Sequence, residues 1–489
     1  MRILYLDIDT LRPDHMGCYG YSRDTTPNLD KVAKEGIVFE NYYCSDAPCL
    51  PSRAALVSGK LGIHSGIVGH GGTAADRPLV GAPRDFQDQT ERDNLFFTLR
   101  KAGLYTTSIS TFAERHSAWW FMAGTNETHN VGGQGGESGE EVLPVALDWL
   151  ERNKARDNWF LHLHVWDPHT PYRAPAEFGD PFENTPLHSN WITEEIFAEH
   201  LKKAGPHSAQ DLNGGHGDDN PQYPRYPGNL KNLADVKKFI DNYDCGIRYA
   251  DHLLGQVLDV LKEQGIYDET AIIISSDHGE NMGELGLYAE HGTADNITHR
   301  IPMVVKWPGC AKGKDAGLRY NADLLPTIAE MLNVPPSKAW DGKSYAALLQ
   351  GKGEIPGHEN LVLSQQAHVC QRSARFGDWI YIRTIRDGWQ LFDDEMLFNL
   401  KDDPHEQFNL AAKHPEICAQ GAKIIFDWQI ENMKTSTSDR DPMWTVYREG
   451  GPHHANDRDF EYYMRRLETS GREDSAKKLR VRYNRPKQA

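Results

Sequence analysis

Short apolar segments alternate with helical patterns along most of this chain, and this alternation is the feature that most constrains its fold. Apolar runs rich in β-branched residues predict strands at residues 3–8, 104–110, 159–165 and 270–275. Helical patterns occur at residues 27–35, 52–58, 94–102, 142–153 and 233–264. Continuous apolar strands separated by helices are typical of a parallel sheet that is covered on both faces. The predicted fold class is therefore α/β, with a large, mostly parallel mixed sheet flanked by helices.

Changes of composition divide the chain into three predicted parts. Residues 1–355 hold the alternating strands and helices and form the main domain, in which residues 172–232 are an irregular insertion rich in Pro, Gly, His, Asn and Asp. Residues 356–433 are predicted to be a smaller α+β subdomain that contains an antiparallel sheet. Its predicted strands and helix lie at residues 360–364, 373–376, 379–384, 389–392 and 414–433. The charged extension 434–489 is interpreted either as a surface appendage or as an arm that joins a homo-oligomer.

The charge balance and the lengths of the apolar runs exclude several classes of partner. The chain has 53 Lys and Arg against 70 Asp and Glu, so its formal net charge is −17. Because no dense basic cluster is present, nucleic acid is not expected as a partner. The apolar runs are shorter than the roughly 18 residues of a membrane span, so no membrane partner is expected either. The N-terminal apolar run turns acidic at Asp7, too early for a secretory signal, and this favours a cytoplasmic location, or a periplasmic or secreted one if a leader was trimmed.

The most specific local pattern is Cys49-Leu50-Pro51-Ser52-Arg53, followed by the small and apolar residues 54–59. Taken alone, it is also compatible with a buried cysteine in front of a helix whose first turn contains proline. The pattern resembles the signature of the sulfatases, in which Cys-x-Pro-Ser-Arg directs a maturation enzyme to oxidise the cysteine to formylglycine. In that family the hydrated aldehyde is a gem-diol: one hydroxyl attacks sulfur, and deprotonation of the other then expels sulfate.

Further motifs in the same order extend this resemblance over most of the chain. The segments that are similar to sulfatases of the alkaline phosphatase superfamily are residues 9–14, 17–20, 26–30, 276–280, 300–302, 307–309 and 397–410. The resemblance implies an alkaline phosphatase-like fold, with residues 1–355 as the catalytic sulfatase domain. It also implies an enzyme that releases inorganic sulfate from a sulfate ester.

The resemblance implies a metal site where two of the predicted strands end. Asp9, Asp277 and His278 match metal ligands of the family, and the modified Cys49 would add an oxygen ligand. Carboxylate oxygens suit Ca²⁺, and a mixed set of oxygen and imidazole ligands also admits Mg²⁺ or Mn²⁺. For each aspartate alone, an alternative role is to cap the helix that follows the strand.

Arg53 and three histidines are the remaining catalytic candidates. Arg53 lies one helical turn beyond Cys49, where its permanent charge would orient the gem-diol and neutralise the sulfate. His169 matches a family position that faces the substrate, and His291 stands where many members have lysine. Histidine suits acid or base catalysis near neutral pH, so both are candidates for the group that protonates the leaving alcohol.

The chain departs from the family pattern at several positions. Thr10 stands where many members have a second carboxylate, which leaves the coordination number open. Asp7 lies on the same face of the first strand as Asp9, the predicted ligand two residues later. Whether Asp7 is itself a metal ligand stays open. Thr111 and Ala113 replace a Lys-x-His pair of the family. His116 follows closely and is a catalytic candidate by proximity alone.

The predicted function is hydrolysis of sulfate esters. The expected substrate is a sulfated sugar, as in polysaccharide degradation, and a formylglycine-generating maturation enzyme is the expected protein partner. Two alternatives stay open. A phosphoester or phosphonate hydrolase of the same superfamily would use the same charge pattern for a phosphoryl group. A catalytically silent protein that binds anionic glycans would account for the missing lysines.

Overall fold

A computed structural model describes residues 1–77, 93–212, 217–353 and 355–484, so parts of the predicted main domain, insertion and extension lie outside the described residues. The strands are β1 (Arg2–Ile8), β2 (Ile37–Tyr43), β3 (Asp46–Ala47), β4 (Tyr105–Ile109), β5 (Glu127–His129), β6 (Trp159–Val165), β7 (Thr270–Ser275), β8 (Asn281–Met282), β9 (Tyr288–Glu290), β10 (Met303–Lys306), β11 (Gly313–Tyr320), β12 (Asn360–Gln365), β13 (Cys370–Phe376), β14 (Trp379–Arg386) and β15 (Glu395–Asn399). The helices are α1 (Pro27–Ala33), α2 (Cys49–Ser58), α3 (Gly62–Ser65), α4 (Leu95–Lys101), α5 (Phe112–Arg115), α6 (Gly139–Asn153), α7 (Glu194–His200), α8 (Leu233–Glu263), α9 (Asn296–His299), α10 (Leu324–Met331), α11 (Ala346–Leu349), α12 (Pro415–Thr435), α13 (Pro442–Arg448), α14 (Phe460–Thr469) and α15 (Glu473–Arg482).

The larger sheet has eight strands in the order β11-β2-β10-β7-β1-β6-β4-β5. Neighbouring strands run parallel, except that β10 is antiparallel to both β7 and β2. Asp7 near the end of β1 lies opposite His164 of β6 and Ser275 of β7. The carboxyl ends of these three strands therefore meet at one edge of the sheet. The predicted fold class, a mostly parallel mixed sheet flanked by helices, is confirmed.

The side chains of β1 alternate between two apolar cores, one on each face of the sheet. Leu4, Leu6 and Ile8 belong to the core that α1, α6 and α8 complete. Ile3 and Tyr5 belong to the core that α2, α4 and α10 complete. Because tightly packed cores leave a strand little freedom, the residues that follow β1 are held in a defined position.

Helix α8 packs along one face of the sheet and reaches the loop after β1. It begins at Asn232, whose side chain accepts a hydrogen bond from the Asp235 backbone N–H at 2.9 Å. Farther along, the Tyr243 hydroxyl donates to the Thr10 carbonyl at 2.7 Å and accepts from the Arg12 backbone N–H at 3.1 Å. These bonds fix the backbone of that loop. Although α8 has 31 residues, neither it nor another helix of the described residues has an apolar stretch long enough to cross a membrane.

A smaller sheet has the strand order β15-β14-β13-β12-β3. Its pairs are antiparallel, except that β3 runs parallel to β12, with Asp46 opposite Ser364 and Ala47 opposite Gln365. Only Pro48 separates β3 from α2, the helix that begins at Cys49. The chain segment that leads to the predicted nucleophile is therefore part of the smaller sheet, whereas α2 itself packs on the larger one.

The strand predicted at residues 389–392 is wrong. Trp389 and Leu391 have φ values of 71° and 58°, in the left-handed region, where an extended strand cannot continue. Trp389 and Phe392 are both buried, so the apolar pattern of this segment comes from packing in an irregular loop. The next strand of the smaller sheet begins only at β15.

The C-terminal extension packs onto the chain itself. Phe460 and Leu479 of α14 and α15 share an apolar core with Ala204 of the insertion. Asp211 of the insertion is fully buried, and its carboxylate lies 2.7 Å from Nη1 of Arg472 in the extension. The extension is thus anchored to the insertion, in contrast to a freely projecting appendage.

Candidate active site

The loops after β1 and β7 bring the predicted metal ligands together. Asp9 follows β1, and Asp277 and His278 follow β7 within the same edge of the sheet. Between them, Thr10 adopts a φ of 56°, which is uncommon for a β-branched residue and turns the chain sharply. Its backbone N–H donates to Oδ1 of Asp277 at 3.2 Å. This bond joins the two loops and accounts for the short distance between their carboxylates.

Cys49 is the first residue of α2 and faces these loops. Its Sγ lies 3.1 Å from Nε2 of His278. The Ser52 hydroxyl, in the same helical turn, donates to the backbone carbonyl of Asp277 at 2.6 Å. All residues of α2 are buried, so the position of the cysteine is set by the packing of the whole helix.

Asp9, Cys49, Asp277 and His278 form a group that could hold a metal ion. Each offers a ligand atom, these atoms lie within 4.8 Å of one another, and all four residues are buried. Oδ1 of Asp9 is buried and has no hydrogen-bond partner among the described residues. Such an oxygen is costly to bury unless a ligand satisfies it. Two carboxylates and an imidazole fit Ca²⁺, Mg²⁺ or Mn²⁺ by the chemistry of the donor set.

Arg53 is fully buried and pairs with three carboxylates. Its Nε lies 3.0 Å from Oδ2 of Asp7, its Nη2 lies 3.1 Å from Oδ2 of Asp9, and its Nη1 contacts Asp277. Burial opposes ionisation, but the charge of Arg53 holds the pKa of Asp7 and of Asp9 below the usual range. One guanidinium against three carboxylates leaves two negative charges, which a divalent cation would balance.

The thiol of Cys49 is a poor nucleophile in these surroundings. Burial raises its pKa well above the usual value, and the negative charges of Asp9 and Asp277 raise it further. A thiol in this position stays protonated at neutral pH, and only the thiolate is a strong nucleophile or metal ligand. Burial and the two carboxylates therefore disfavour the thiolate of Cys49.

His162 and His164 contact the carboxylates from β6, and neither was predicted as a site residue. Nε2 of His162 lies 3.2 Å from Oδ2 of Asp7, and Nε2 of His164 lies 3.4 Å from Oδ2 of Asp9. His164 also lies 2.8 Å from Nη2 of Arg53. The available signal was two histidines at alternate positions of a predicted strand, because such side chains share one face.

His169 and His291 both lie in the pocket next to the metal-ligand group. Their ring centroids are 5.7 Å apart, and the centroid of His291 is 4.0 Å from that of His278. Ligand atoms of Cys49, His278 and His291 lie within 4.8 Å of one another. The pKa of His169 is lowered well below its usual value by burial.

His291 differs from His169 because a carboxylate holds one of its ring nitrogens. Its Nε2 lies 3.0 Å from Oε1 of Glu290, while its Nδ1 is buried and has no hydrogen-bond partner within the described ranges. Burial favours the neutral ring, but the charge and hydrogen bond of Glu290 outweigh it and raise the pKa of His291. Glu290 also lies 2.9 Å from Nε2 of His207 and 3.4 Å from Nε2 of His368.

Further histidines continue the wall of the pocket. His116, the candidate by proximity, lies with His70 near Cys49, and ligand atoms of the three residues are within 4.8 Å of one another. Ring nitrogens of His70 and His454 are 3.1 Å apart, and His454 stacks on His368 with centroids 4.1 Å apart. Burial is the main reason that the pKa of His116 falls to about 3. His70, His368 and His454 carried no motif signal in the sequence.

Comparison with known families decides what this arrangement is. The Sulfatase family model matches residues 2–334, which include Asp9, Cys49, Asp277 and His278. This chain belongs to the sulfatase family. The resemblance predicted from the motifs is therefore confirmed, and the protein is a sulfuric ester hydrolase.

Relatives of this sulfatase are distant in sequence but similar over most of their length. The choline-sulfatase of Rhizobium meliloti is 24% identical over 482 residues, which cover 86% of each chain. A structure solved in complex with its substrate D-glucosamine-2-N,6-O-disulfate has a TM-score of 0.70 and 18% identity, covering 90% of this chain and 99% of that one. The phosphonate monoester hydrolase of Agrobacterium radiobacter has a TM-score of 0.69 and 18% identity, covering 88% and 96%.

In this sulfatase the positions of the absent Lys-x-His pair have structural contacts. The Thr111 hydroxyl donates to Glu137 and accepts from Nε1 of Trp166 at 2.8 Å. Ala113 is buried in the main domain. The side chains that approach Cys49 on this side are instead His70 and His116.

Proposed function

We propose that this sulfatase acts on sulfated carbohydrates through a formylglycine made from Cys49 and one divalent metal ion. Asp9, Asp277 and His278 would hold the metal, with the modified Cys49 as a further ligand. The observation that carries this proposal is the position of Cys49 within Cys-x-Pro-Ser-Arg. Its Sγ lies in the first turn of α2, within 4.8 Å of ligand atoms of the other three residues.

The chain's own residues supply the charge that such a site requires. The hydrated formylglycine would supply two hydroxyls on one carbon, and the metal would supply positive charge that polarises the S–O bonds. Arg53 neutralises part of the negative charge of the buried carboxylates and holds their side chains in place. The N-terminal end of α2 faces the site, and the partial positive charge of a helix N-terminus favours a bound anion.

His291 is the residue that we assign to protonation of the leaving alcohol. Glu290 holds Nε2 of its ring, which leaves Nδ1 as the nitrogen that can donate to a substrate oxygen. A carboxylate that orients one imidazole nitrogen so that the other can act is a recurrent arrangement in acid–base catalysis. His169, whose ring lacks such a carboxylate contact, is better suited to bind the substrate.

A carbohydrate substrate is supported by the walls of the pocket. Burial lowers the pKa of His70, His116 and His169, so their rings are neutral at physiological pH. A neutral imidazole has one donor and one acceptor, which suits the hydroxyl groups of a sugar. The fold shared with a structure that binds a disulfated glucosamine is consistent with this substrate class.

The proposal is tested by peptide mass analysis and by a sulfate-release assay in parallel. Protein made with a formylglycine-generating enzyme should carry formylglycine at residue 49 and release sulfate from sulfated mono- and disaccharides. Cys49→Ala should lose nearly all activity and keep the fold, while Cys310→Ala, a change at a half-buried cysteine on the surface, should keep activity. An active protein with an intact thiol at Cys49 would contradict the formylglycine proposal. Faster turnover of a phosphate diester than of the sulfated sugars would instead favour a phosphohydrolase.

A further inference from the structure

A cavity of about 540 Å³ lies between the insertion and helices α6 and α8, and Arg173 in its wall is four residues beyond His169. The insertion forms one wall, which includes Arg173, Gln222 and Tyr223. The N-terminal region of α6 forms part of the other wall with Ser138, and α8 contributes Lys238. The proposed metal ligands and the assigned acid do not line this cavity, so it is a second site beside the first.

Arg173 is the unusual residue of this cavity. Its Nε and Nη1 are buried, and neither has a hydrogen-bond partner in the part of the chain that the structure describes. Within residues 1–77, 93–212, 217–353 and 355–484, no carboxylate lies within the 4.0 Å of an ion pair with it. Burial opposes its charged form most, the negative charge of Asp167 favours that form, and the like charge of Arg115 opposes it, so that the pKa of Arg173 is lowered. Two buried N–H groups without an acceptor are unfavourable, because their lost hydration is not replaced.

Arg225 lines the same cavity and shows what a satisfied arginine looks like there. Its Nε donates to the Ala174 carbonyl at 2.8 Å, and its Nη2 donates to the Gly179 carbonyl at 2.9 Å. Its Nη1 pairs with Asp180. Each guanidinium nitrogen of Arg225 has a partner in the insertion, whereas two nitrogens of Arg173 have none among the described residues. The missing hydrogen bonds are therefore specific to Arg173 in this cavity.

Two more cations near Arg173, namely Arg115 and Lys238, have no ion-pair partner in the described residues. Arg115 is exposed at the end of α5, with Cζ 4.9 Å from the ring of Trp166. That ring is 5.6 Å from the ring of His169, so Trp166 lies between Arg115 and His169. Burial lowers the pKa of His169 most, and the charges of Arg115 and Arg173 contribute to the same shift. Lys238 is exposed on α8 at the other end of the cavity.

We propose that this cavity binds a second anionic group of the substrate, with Arg173 as its main ligand and Lys238 as a further cation. The group would be a carboxylate or a second sulfate, either on the sugar that carries the scissile sulfate or on its neighbour. The inference rests on the proposed action on sulfated sugars. A guanidinium binds such groups through two parallel hydrogen bonds, which gives orientation as well as affinity. In a chain of net charge −17, two cations that line one cavity and have no ion-pair partner among the described residues favour an anionic ligand.

Substrate pairs that differ in one anionic group test this proposal. The probes are an aryl sulfate, N-acetylglucosamine 6-sulfate, glucosamine 2-N,6-O-disulfate and a 2-sulfated uronic acid. Arg173→Gln should lower kcat/KM for the probes with two anionic groups by about 10- to 100-fold, mainly through KM, as expected for a charged hydrogen-bond pair. The aryl sulfate and the singly sulfated sugar should change less than about twofold. Arg173→Lys should restore part of the loss, and Arg383→Gln, on the smaller sheet, should change none of the four.

Binding to an inactive variant separates this proposal from the catalytic one. Calorimetry with Cys49→Ser should show tighter binding of the two probes that carry a second anion, and Arg173→Gln in that background should remove the difference. Whether the carboxylate or the second sulfate shows the larger effect identifies the group that is bound. The proposal would be overturned if Arg173→Gln lowered kcat/KM equally for all probes. It would also be overturned if the protein with Arg173 intact bound probes with a second anion no more tightly than the others. Sulfate release that is absent for every probe, with the binding difference retained, would count against the proposed function alone.

Discussion

The contact between Glu290 and His291 predicts how the rate of this sulfatase depends on pH. At 3.0 Å, and with an effective dielectric constant of about 20, a carboxylate and an imidazolium attract each other by about 5 kcal/mol. Glu290 shares its charge with His207 and His368, and hydrogen bonds to charged groups are worth about 1.5–3 kcal/mol net. Glu290→Gln removes this attraction and should therefore lower the pKa of His291.

The sign of the effect follows from the role of His291 as an acid. The acid must be protonated, so the rate falls as the pH rises through the raised pKa of His291. Glu290→Gln lowers that pKa and should move the alkaline limb of kcat to lower pH by about 1 to 2 units. Glu395→Gln, at the surface of the smaller sheet, is the matched control and should leave the limb unchanged.

Two substrate types make the assay specific for leaving-group protonation. His291→Ala should slow a sugar sulfate by about 10²- to 10⁴-fold, because an alkoxide leaves poorly without an acid. It should slow an aryl sulfate far less, because a phenolate leaves without help. The reasoning is refuted if His291→Ala slows both substrates by the same factor, or if the alkaline limb does not move in Glu290→Gln.

Three other predictions concern the metal, the extension and acid stability. Asp9→Ala should abolish bound metal by elemental analysis and cost several kcal/mol of transition-state stabilisation; full activity in metal-free protein would rule this out. Asp211→Ala should lower the free energy of unfolding by about 3–5 kcal/mol in denaturant titrations, because it leaves Arg472 buried without its partner. Burial tends to raise the pKa of Glu284, but the charges of Arg12 and His405 hold this pKa at about 2. The stabilisation of the fold by the ionised Glu284 is therefore present above about pH 4.5 and lost as the pH falls towards 2. In Glu284→Gln the free energy of unfolding should vary less with pH between about pH 4.5 and pH 2. The same pH dependence as in the unmutated protein would contradict this.

The parts of the site that follow strands could be predicted from the sequence. Asp9 and Asp277 come directly after apolar runs, and parallel strands end at one edge of the sheet, so their proximity follows from the fold class. His162 and His164 were readable by the same logic, since two histidines at alternate positions of a strand face one side. The decisive extra information would have been the pairing of β1 with β6, which only the folded structure provides.

The histidine wall could not be predicted, because its members come from segments with no local pattern in common. His70 lies in a loop, His368 in the connection between β12 and β13, and His454 in the extension. They meet only because the smaller sheet and the extension pack against the main domain. The segment 389–392 failed for a related reason, since its apolar residues are buried in a loop and an apolar pattern alone does not distinguish a loop from a strand.

The pairing of β3 with β12 sets a time interval during synthesis of the chain. Gln365, which pairs with Ala47, is translated 316 residues after Cys49. At about 5–20 residues per second, the ribosome needs roughly 16 to 60 s to reach it. Until then the smaller sheet cannot close over the segment that leads to Cys49, which is only 1% exposed in the finished fold. The proposed maturation enzyme would therefore have its access to this cysteine while the chain is still being made.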